Sequence, residues 1–388
     1  MALTLSNYFD IIRSSAYKTR ARVSFLRSED ETPFGFIEGD IIDGNLQITR
    51  HNGVRRSCNI KLVNEDKKYI PNPYGIWVNR KFLLELGVES LDQPGEVFYI
   101  PQGVFVMRNP TITSSNDHSV IDISGIDKFS LLDGQLGGRL DSTFIFEEGS
   151  DINADIRSIL ALSLDSNAQF PIDAKSPILQ DLPLDKSTSP YTLRRDLGGN
   201  LADVLLEING FVSRNMFYNP LGHFVFQDDF EDIDKGSIWD YSQDDFTYLG
   251  STHEYRFEDL HNKVIVVSDN VDGGTYIAEA VNTNPASRTN INAIGVKIAE
   301  PIFDNVIDSE DLAQQRADYE LRRVNALQSA VTIKSIPMFH IDVDRMVTLT
   351  DDRLRLDKER FVIQDINIPL RFGSEITVSA VKSSELDF

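Results

Sequence analysis

Carboxylates are the most numerous groups in this chain that could do chemistry. Asp228, Asp229, Glu231, Asp232 and Asp234 crowd into one short stretch, a density that could hold a divalent cation. The twelve-residue calcium loop needs glycine at position six and glutamate at position twelve. Counting from Asp229 or from Asp232, the chain does not supply both. The run therefore reads as a solvated acidic loop. Two carboxylates could also cleave a glycosidic bond, but such a pair is defined by its separation in space. With 60 acids in the chain, pairs of that kind arise by accident.

The other reactive types are sparse. His51, His118, His223, His253, His261 and His340 all lie more than five residues apart, so no local pair is spaced for zinc. Cys58 is the only cysteine; it cannot form an intramolecular disulfide and reads as a small apolar residue of a core. No glycine-rich run leads to Lys-Ser or Lys-Thr, and Gly134-Gln135-Leu136-Gly137-Gly138 lacks the dinucleotide spacing. These residues give no expectation of a catalytic group, a metal or a cofactor.

Charge narrows the partners. Lys and Arg total 38 against 60 Asp and Glu, a net charge of −22. A chain so acidic lacks the basic footprint for tight nucleic-acid binding and is repelled by anionic membranes. No apolar run approaches the ~20 residues of a membrane helix. Residues 228–259 hold eleven acids against Lys235 and Arg256, while residues 1–28 carry five cations against Asp10. The acidic segment reads either as a solubilising face or as a wall past which a polyanion slides without sticking. The basic segment reads as an arm for an acidic partner or, the simpler reading, as a first helix packed on its own domain. Leu5, Tyr8, Phe9 and Ile12 have the spacing for such a helix.

Three regions must position these residues. Over 20–135 short alternating runs are separated by turn signals: Asp43-Gly44, Asn52-Gly53 and Asn72-Pro73-Tyr74-Gly75. Ile76, Val78, Phe82, Leu84 and Leu86 mark one face of a long strand that includes Trp77, whose packing into a core is expected. Runs at 96–100, 103–107 and 120–125 follow, and the pattern indicates a β-barrel or sandwich. Over 138–245 Asp151 caps a helix bearing Ile152, Ile156, Ile159 and Leu160. Asn200 caps another bearing Leu201, Val204, Leu205 and Ile208, with Gly210 just past its end. A hairpin through Asn219-Pro220-Leu221-Gly222 completes a small α+β region. Over 246–388 strands return, joined by a helix at 308–327 with Ala313, Ala317, Leu321 and Val324 on its apolar face. Asp272-Gly273-Gly274 and Arg371-Phe372-Gly373-Ser374 supply turns. Phe105-Val106, Pro110 and the run 120–124 are echoed by Phe361-Val362, Pro369 and the run 376–379. Duplicated barrels would produce this echo, and so would chance likeness between hairpins.

In order and spacing, these segments resemble the baseplate hub proteins of tailed phages, including the hub-like N-terminal part of siphophage tail-associated proteins. The resemblance is carried by residues 54–60; by Ile76-Trp77-Val78-Asn79-Arg80-Lys81-Phe82; by 100–105; by 124–134 with Gly125-Ile126-Asp127-Lys128-Phe129; by 262–267; by the helix at 308–327; and by 361–369. It covers nearly the whole chain. It implies a mainly β (α+β) protein with two tube-like β-barrel domains, 1–137 with an N-terminal arm and 246–388 with one helix, and a smaller α+β domain, 138–245, between them. It further implies a non-enzymatic homotrimer whose six barrels form a pseudo-sixfold ring at the tail tip of a virion, made in the host cytoplasm. Such a ring joins a hexameric tail tube or distal tail protein to a threefold spike, fibre or tape-measure protein, and DNA passes through its lumen. Asp228, Asp229, Glu231, Asp232 and Asp234 become candidates for the lumen wall. Many relatives continue into a hydrolase or host-binding region; with the chain ending at Phe388, none is expected here. The competing readings are a carboxylate-based cell-wall hydrolase and a module that binds host carbohydrate. The latter would expose an aromatic platform, whereas Trp77 and Trp239 fall in different expected domains.

Overall fold

The computed structural model describes residues 5–14, 16–65, 67–72, 76–78, 80–92, 94–116, 118–161, 175–183, 187–190, 192–212, 214–228, 236–255, 257–258, 260–270, 274–304, 307, 309–326 and 329–382. Helix α1 (Leu5–Ile12) precedes strands β1 (Tyr17–Leu26), β2 (Pro33–Glu38), β3 (Ile41–Thr49), β4 (Arg56–Val63), β5 (Lys81–Ser90), β6 (Val97–Ser114) and β7 (Ser119–Asp127). After a 3-10 turn at Lys128–Leu131 come β8 (Phe144–Phe146), α2 (Ile152–Leu160), β9 (Ile178–Leu179), β10 (Leu193–Arg195), α3 (Leu201–Val212), β11 (Asn215–Tyr218) and β12 (Phe224–Gln227). The remainder is β13 (Ser237–Ser242), β14 (Tyr248–Tyr255), β15 (Lys263–Asn270), β16 (Gly274–Val281), α4 (Ile291–Ile294), β17 (Ile302–Phe303), α5 (Glu310–Ala326), β18 (Ser329–Ser335), β19 (Met346–Asp351), β20 (Leu356–Pro369) and β21 (Ile376–Lys382). The protein is mainly β.

The chain divides into two compact units. The first comprises Met1–Asp234 with two late segments, Ile336–Asp342 and Asp365–Ile376. Its strands pair in the order β3-β4-β7-β6-β5-β1-β2, and Asp365–Pro369 of β20 runs antiparallel beside β3. Alternate residues of β4 and β7 point inward, so Cys58, Ile60, Leu62, Ile121 and Ile123 are buried. The Phe82 and Phe105 rings stack 5.6 Å apart. Beneath them Gly125 leaves room that a Cβ would fill at 2.7 Å from Phe82 and 2.8 Å from Cys58 Sγ. Burial pushes the Cys58 thiol up from its ordinary value, which suits an inert packing role.

A second core in this unit is built by α2, α3, β11 and β12, with Phe129, Leu131, Leu132 and Val106. Asp151 caps α2, accepting from Ala154 N at 2.6 Å, and Asn200 caps α3, accepting from Asp203 N at 2.8 Å. Both caps and both apolar stripes follow the sequence pattern. Helix α3 runs on to Val212, however, so Gly210 is internal to it rather than its terminator.

The second unit comprises Lys235–Ser335, Val343–Gln364 and Thr377–Phe388. Its strands pair in the order β14-β18-β21-β20, with β19 between β20 and β13. A separate sheet, β16-β15-β17, carries α5 on one face. There Ala313, Ala317 and Leu321 pack with Val264, Val266, Ala278 and Ala280. The β6–β7 and β20–β21 hairpins each place a buried Phe-Val pair on their first strand, Phe105-Val106 and Phe361-Val362.

Three local expectations are corrected. Asp43-Gly44 lies inside β3, as a register shift against β4 instead of a turn. Gly44 has φ +152° and passes so near β4 that a Cβ would lie 2.3 Å from Asn59 O; glycine serves close approach there. Trp77 is not in a strand: Arg80 N donates to Trp77 O at 3.2 Å in a turn, β5 starts at Lys81, and Trp77 and Val78 are exposed. The runs at 96–100 and 103–107 are one strand, β6. The turn residues Pro73, Tyr74, Gly75, Asp272 and Gly273 lie outside the described residues.

Candidate interaction surface

The acidic run begins where β12 ends. Asp228 Oδ1 lies 3.0 Å from Arg214 Nε. Its other oxygen accepts from Gln180 Nε2 at 3.1 Å, while its own N–H donates to Gln180 Oε1 at 2.7 Å. Asp228 thus fastens β12 to the segment after β9, with its carboxylate still 58% exposed. Asp229, Glu231, Asp232 and Asp234 lie outside the described residues. Among the described residues no three His, Cys, Asp or Glu side chains are grouped to hold a metal, and no helix is long and apolar enough to cross a membrane.

Two of the five N-terminal cations are answered by acids of their own unit. On β1 Arg20 pairs with Glu89 at 2.6 Å and Arg22 with Glu85 at 2.8 Å, both acids on the neighbouring β5. The Arg22 guanidinium also lies over the Tyr99 ring at 4.0 Å. Glu89 is held below the usual carboxylate range by the Gly95 N–H and by Arg20. Helix α1 buries Tyr8, Ile11 and Ile12. This is the packed first helix, not a free arm.

Two charged clusters lie inside the first unit. Glu31 takes Lys81 Nζ at 2.7 Å and Lys128 Nζ at 2.8 Å, with Lys175 Nζ at 3.9 Å. Lys128 also donates to Gly222 O at 2.9 Å, and Lys175 donates to Leu221 O, so the cluster ties the β1–β2 turn to the β11–β12 turn. Burial opposes ionisation of Glu31, but the lysines prevail and hold its carboxyl below the ordinary range. The second cluster is centred on Asp127, which accepts from Arg55 N (2.7 Å), Arg56 N (3.0 Å) and Phe129 N (3.0 Å). Burial pushes its carboxyl up to about 6 against those three donors. The Glu31 cluster was not legible in the sequence, because its members lie far apart in the chain; of the Asp127 cluster only the cap of Phe129 N is local, while Arg55 and Arg56 reach it through the pairing of β4 with β7.

The first unit's sheet also bears a cleft of about 630 Å³. Its walls come from both ends of the pairing order: Arg20, Phe36 and Glu38 of β1 and β2, then Ile41 and Ile42 of β3, with Arg371 and Phe372 from the turn after β20. The sheet therefore curls until its ends face each other. Phe36 and Phe372 are each 66% exposed at this rim. On β14 and just beyond, the Tyr255 and Phe257 rings stack at 6.1 Å and are exposed as well. Trp239, in contrast, is buried.

No family profile matches the sequence, and no curated protein matches it either. Solved structures do share its fold. The 43 kDa tail protein of prophage MuSo2 from Shewanella oneidensis superposes with a TM-score of 0.60 at 11% identity, covering 95% of this chain and 100% of that one. A tail protein from Neisseria meningitidis gives 0.62 at 12% identity, covering 94% and 98%. A component of the Escherichia coli type VI secretion system gives 0.51 at 12% identity over 89% and 74%; that protein is described as structurally similar to the T4 bacteriophage tail proteins gp27 and gp5. At such identities the likeness is one of fold.

Proposed function

We propose that this protein is a structural component of a phage tail, a trimeric hub at the baseplate or tail tip. The observation that carries the reading is end-to-end correspondence: both tail proteins match over at least 94% of this chain and nearly all of their own length. The similarity to a protein itself likened to gp27 and gp5 supports the hub reading. In this role the chain is not an enzyme. Three copies would present their β units as a pseudo-sixfold ring, joining a hexameric tube or distal tail protein to a threefold spike, fibre or tape-measure protein. Closed cyclic symmetry is the usual solution for such an element. The DNA would pass through the lumen without being bound, as the net charge of −22 favours, and the acids from Asp228 to Asp234 are proposed for its wall.

Light scattering on the purified chain tests the oligomer. A trimer has a mass of about 131 kDa, three times the 43.8 kDa of one chain. A monomer at tens of micromolar, with no assembly on isolated tail tubes, counts against the hub. Release of dye from labelled peptidoglycan by the pure protein would instead favour a hydrolase.

A further inference from the structure

We infer that Ile336–Asp342 is a separable strap that locks helix α1 onto the first unit, and that α1 is released whenever the strap lifts. The segment belongs to the first unit, although in the chain it joins β18 to β19 of the second. It forms no strand. Four side chains of the first unit hold it. Tyr17 Oη donates to Pro337 O at 2.8 Å, and Gln102 Nε2 donates to Phe339 O at 2.9 Å. Phe339 N–H donates to Tyr8 Oη at 2.9 Å, and the same hydroxyl lies 3.0 Å from His340 Nδ1. Arg56 donates to both oxygens of Asp342 at 2.6 and 2.5 Å. A tether made of side-chain bonds can open without breaking a β ladder, which a strand could not do.

The coupling to α1 follows from its size and its partners. An eight-residue helix is too short to persist on its own. Its Tyr8 and Phe9 rings meet the His340 ring edge-on at 5.4 and 5.1 Å, and Tyr8 is fully buried. Lifting the strap removes the Phe339 and His340 contacts of the Tyr8 hydroxyl and the His340 ring from Tyr8 and Phe9, so α1 keeps the Tyr8–Phe98 contact and its buried isoleucines but loses this part of its anchoring. The force that opposes lifting has two parts: the strap buries its own Met338, Phe339 and Ile341, and it neutralises a buried charge. Arg56 is 1% exposed, and with Asp342 gone its buried charge loses its ion-pair partner and keeps the Gln102 carbonyl and the field of Asp127. That penalty falls on any state in which Asp342 has left Arg56 and so favours the closed strap.

The test is amide hydrogen exchange on the full chain carrying Tyr17→Phe and Gln102→Ala. These changes loosen the strap and leave Tyr8, Arg56 and Asp342 intact. Exchange in 336–342 and in α1 should accelerate together, by about tenfold or more for a loss of roughly 1.4 kcal/mol, while β18 and β19 keep wild-type protection. Faster exchange in the strap with α1 unchanged overturns the coupling. Faster exchange in β18 and β19 alongside it overturns separability, and an unmoved strap overturns the assigned ties. Should the variant fail to fold, wild-type exchange across a urea series decides the matter. One shared opening free energy for α1 and 336–342, lower than that of β18 and β19, supports the strap; separate values overturn it.

Discussion

Arg56 and Asp342 form a two-point ion pair across 286 residues of chain, with one guanidinium nitrogen donating to both carboxylate oxygens. The two ends of the pair differ in their surroundings: the Arg56 side chain is 1% exposed and that of Asp342 28%. Asp342→Asn keeps the shape and removes the negative charge. Stranding a buried guanidinium costs about 3 kcal/mol, the low end for a buried pair because Asp342 retains some water. The urea midpoint of the first unit should fall accordingly. An unchanged midpoint would mean that Arg56 is neutralised by another group.

Two buried groups of the first unit should give opposite pH dependences. Burial lowers His340 from its ordinary 6.5 to about 4, so between those values the unfolded chain holds the proton and the native protein does not. Its contribution makes stability rise with pH through that window. Burial raises Asp127 to about 6, so between roughly 4 and 6 the native state holds the proton, and stability falls as pH rises. The two nearly cancel in the wild type. Relative to it, His340→Gln should lose stability on going from pH 4 to 6, and Asp127→Asn should gain it. Parallel curves for all three proteins would refute both assignments.

What the sequence made legible were features set by neighbours in the chain. The caps at Asp151 and Asn200 and the apolar stripes of α2, α3 and α5 follow from residues within two turns of each other. The turn at Asn52-Gly53 does connect β3 to β4, although its register is fixed from afar: Gly53 N donates to Met216 O at 2.9 Å. Asp43-Gly44 misled because the same dipeptide that closes a hairpin also fits a bulge; what decides is the β4 backbone, whose approach local sequence does not encode. Trp77 misled through parity, since the alternation extends back through Val78 to Ile76 while β5 starts only at Lys81. The Glu31 lysines and the ties of the strap join residues tens to hundreds of positions apart, where periodicity carries no signal.

The bulge gives a sharp test of that reading. Gly44→Ala would place its Cβ 2.3 Å from Asn59 O and 2.9 Å from the Leu370 side chain, at a φ of +152°. The side chain could yield; the backbone oxygen could not without shifting β4. A loss of roughly 2–4 kcal/mol is expected, from strain together with overpacking, seen as a lowered melting temperature. Gly39→Ala, whose Cβ meets nothing within 4 Å, shares the positive φ and serves as the control for strain alone. Equal losses in the two variants would show that contact with β4 is unimportant.

Leu321 of α5 faces Val264, Val266, Ala278 and Ala280 and is 7% exposed. Leu321→Asp puts a carboxylate into that layer with no partner, at a cost of several kcal/mol, or about three or more. Because this core belongs to the second unit, exchange protection should fall in β15 and β16 while β4–β7 are unaffected. Wild-type melting in the variant would mean that this face of α5 is not packed.

The lumen assignment requires Asp228 to be separated from its neighbours. Reversing Asp228 to Lys removes an ion pair and sets a cation beside Arg214, so a defect in that variant reports on the β12 attachment and says nothing of a channel. Asp228 is 58% exposed but the Arg214 side chain only 4%, so Asp228→Asn should cost about 1–3 kcal/mol, less than the loss of Asp342 because more water reaches this pair. The informative set is Asp229, Glu231, Asp232 and Asp234, changed together to Lys with Asp228 kept. If these acids line a passage for DNA, particles should assemble while ejection slows, because a polyanion adheres to a cationic wall within a Debye length of ~8 Å. Raising the salt concentration should then restore part of the rate. Normal ejection from assembled particles would place the charge on an outer, solubilising face.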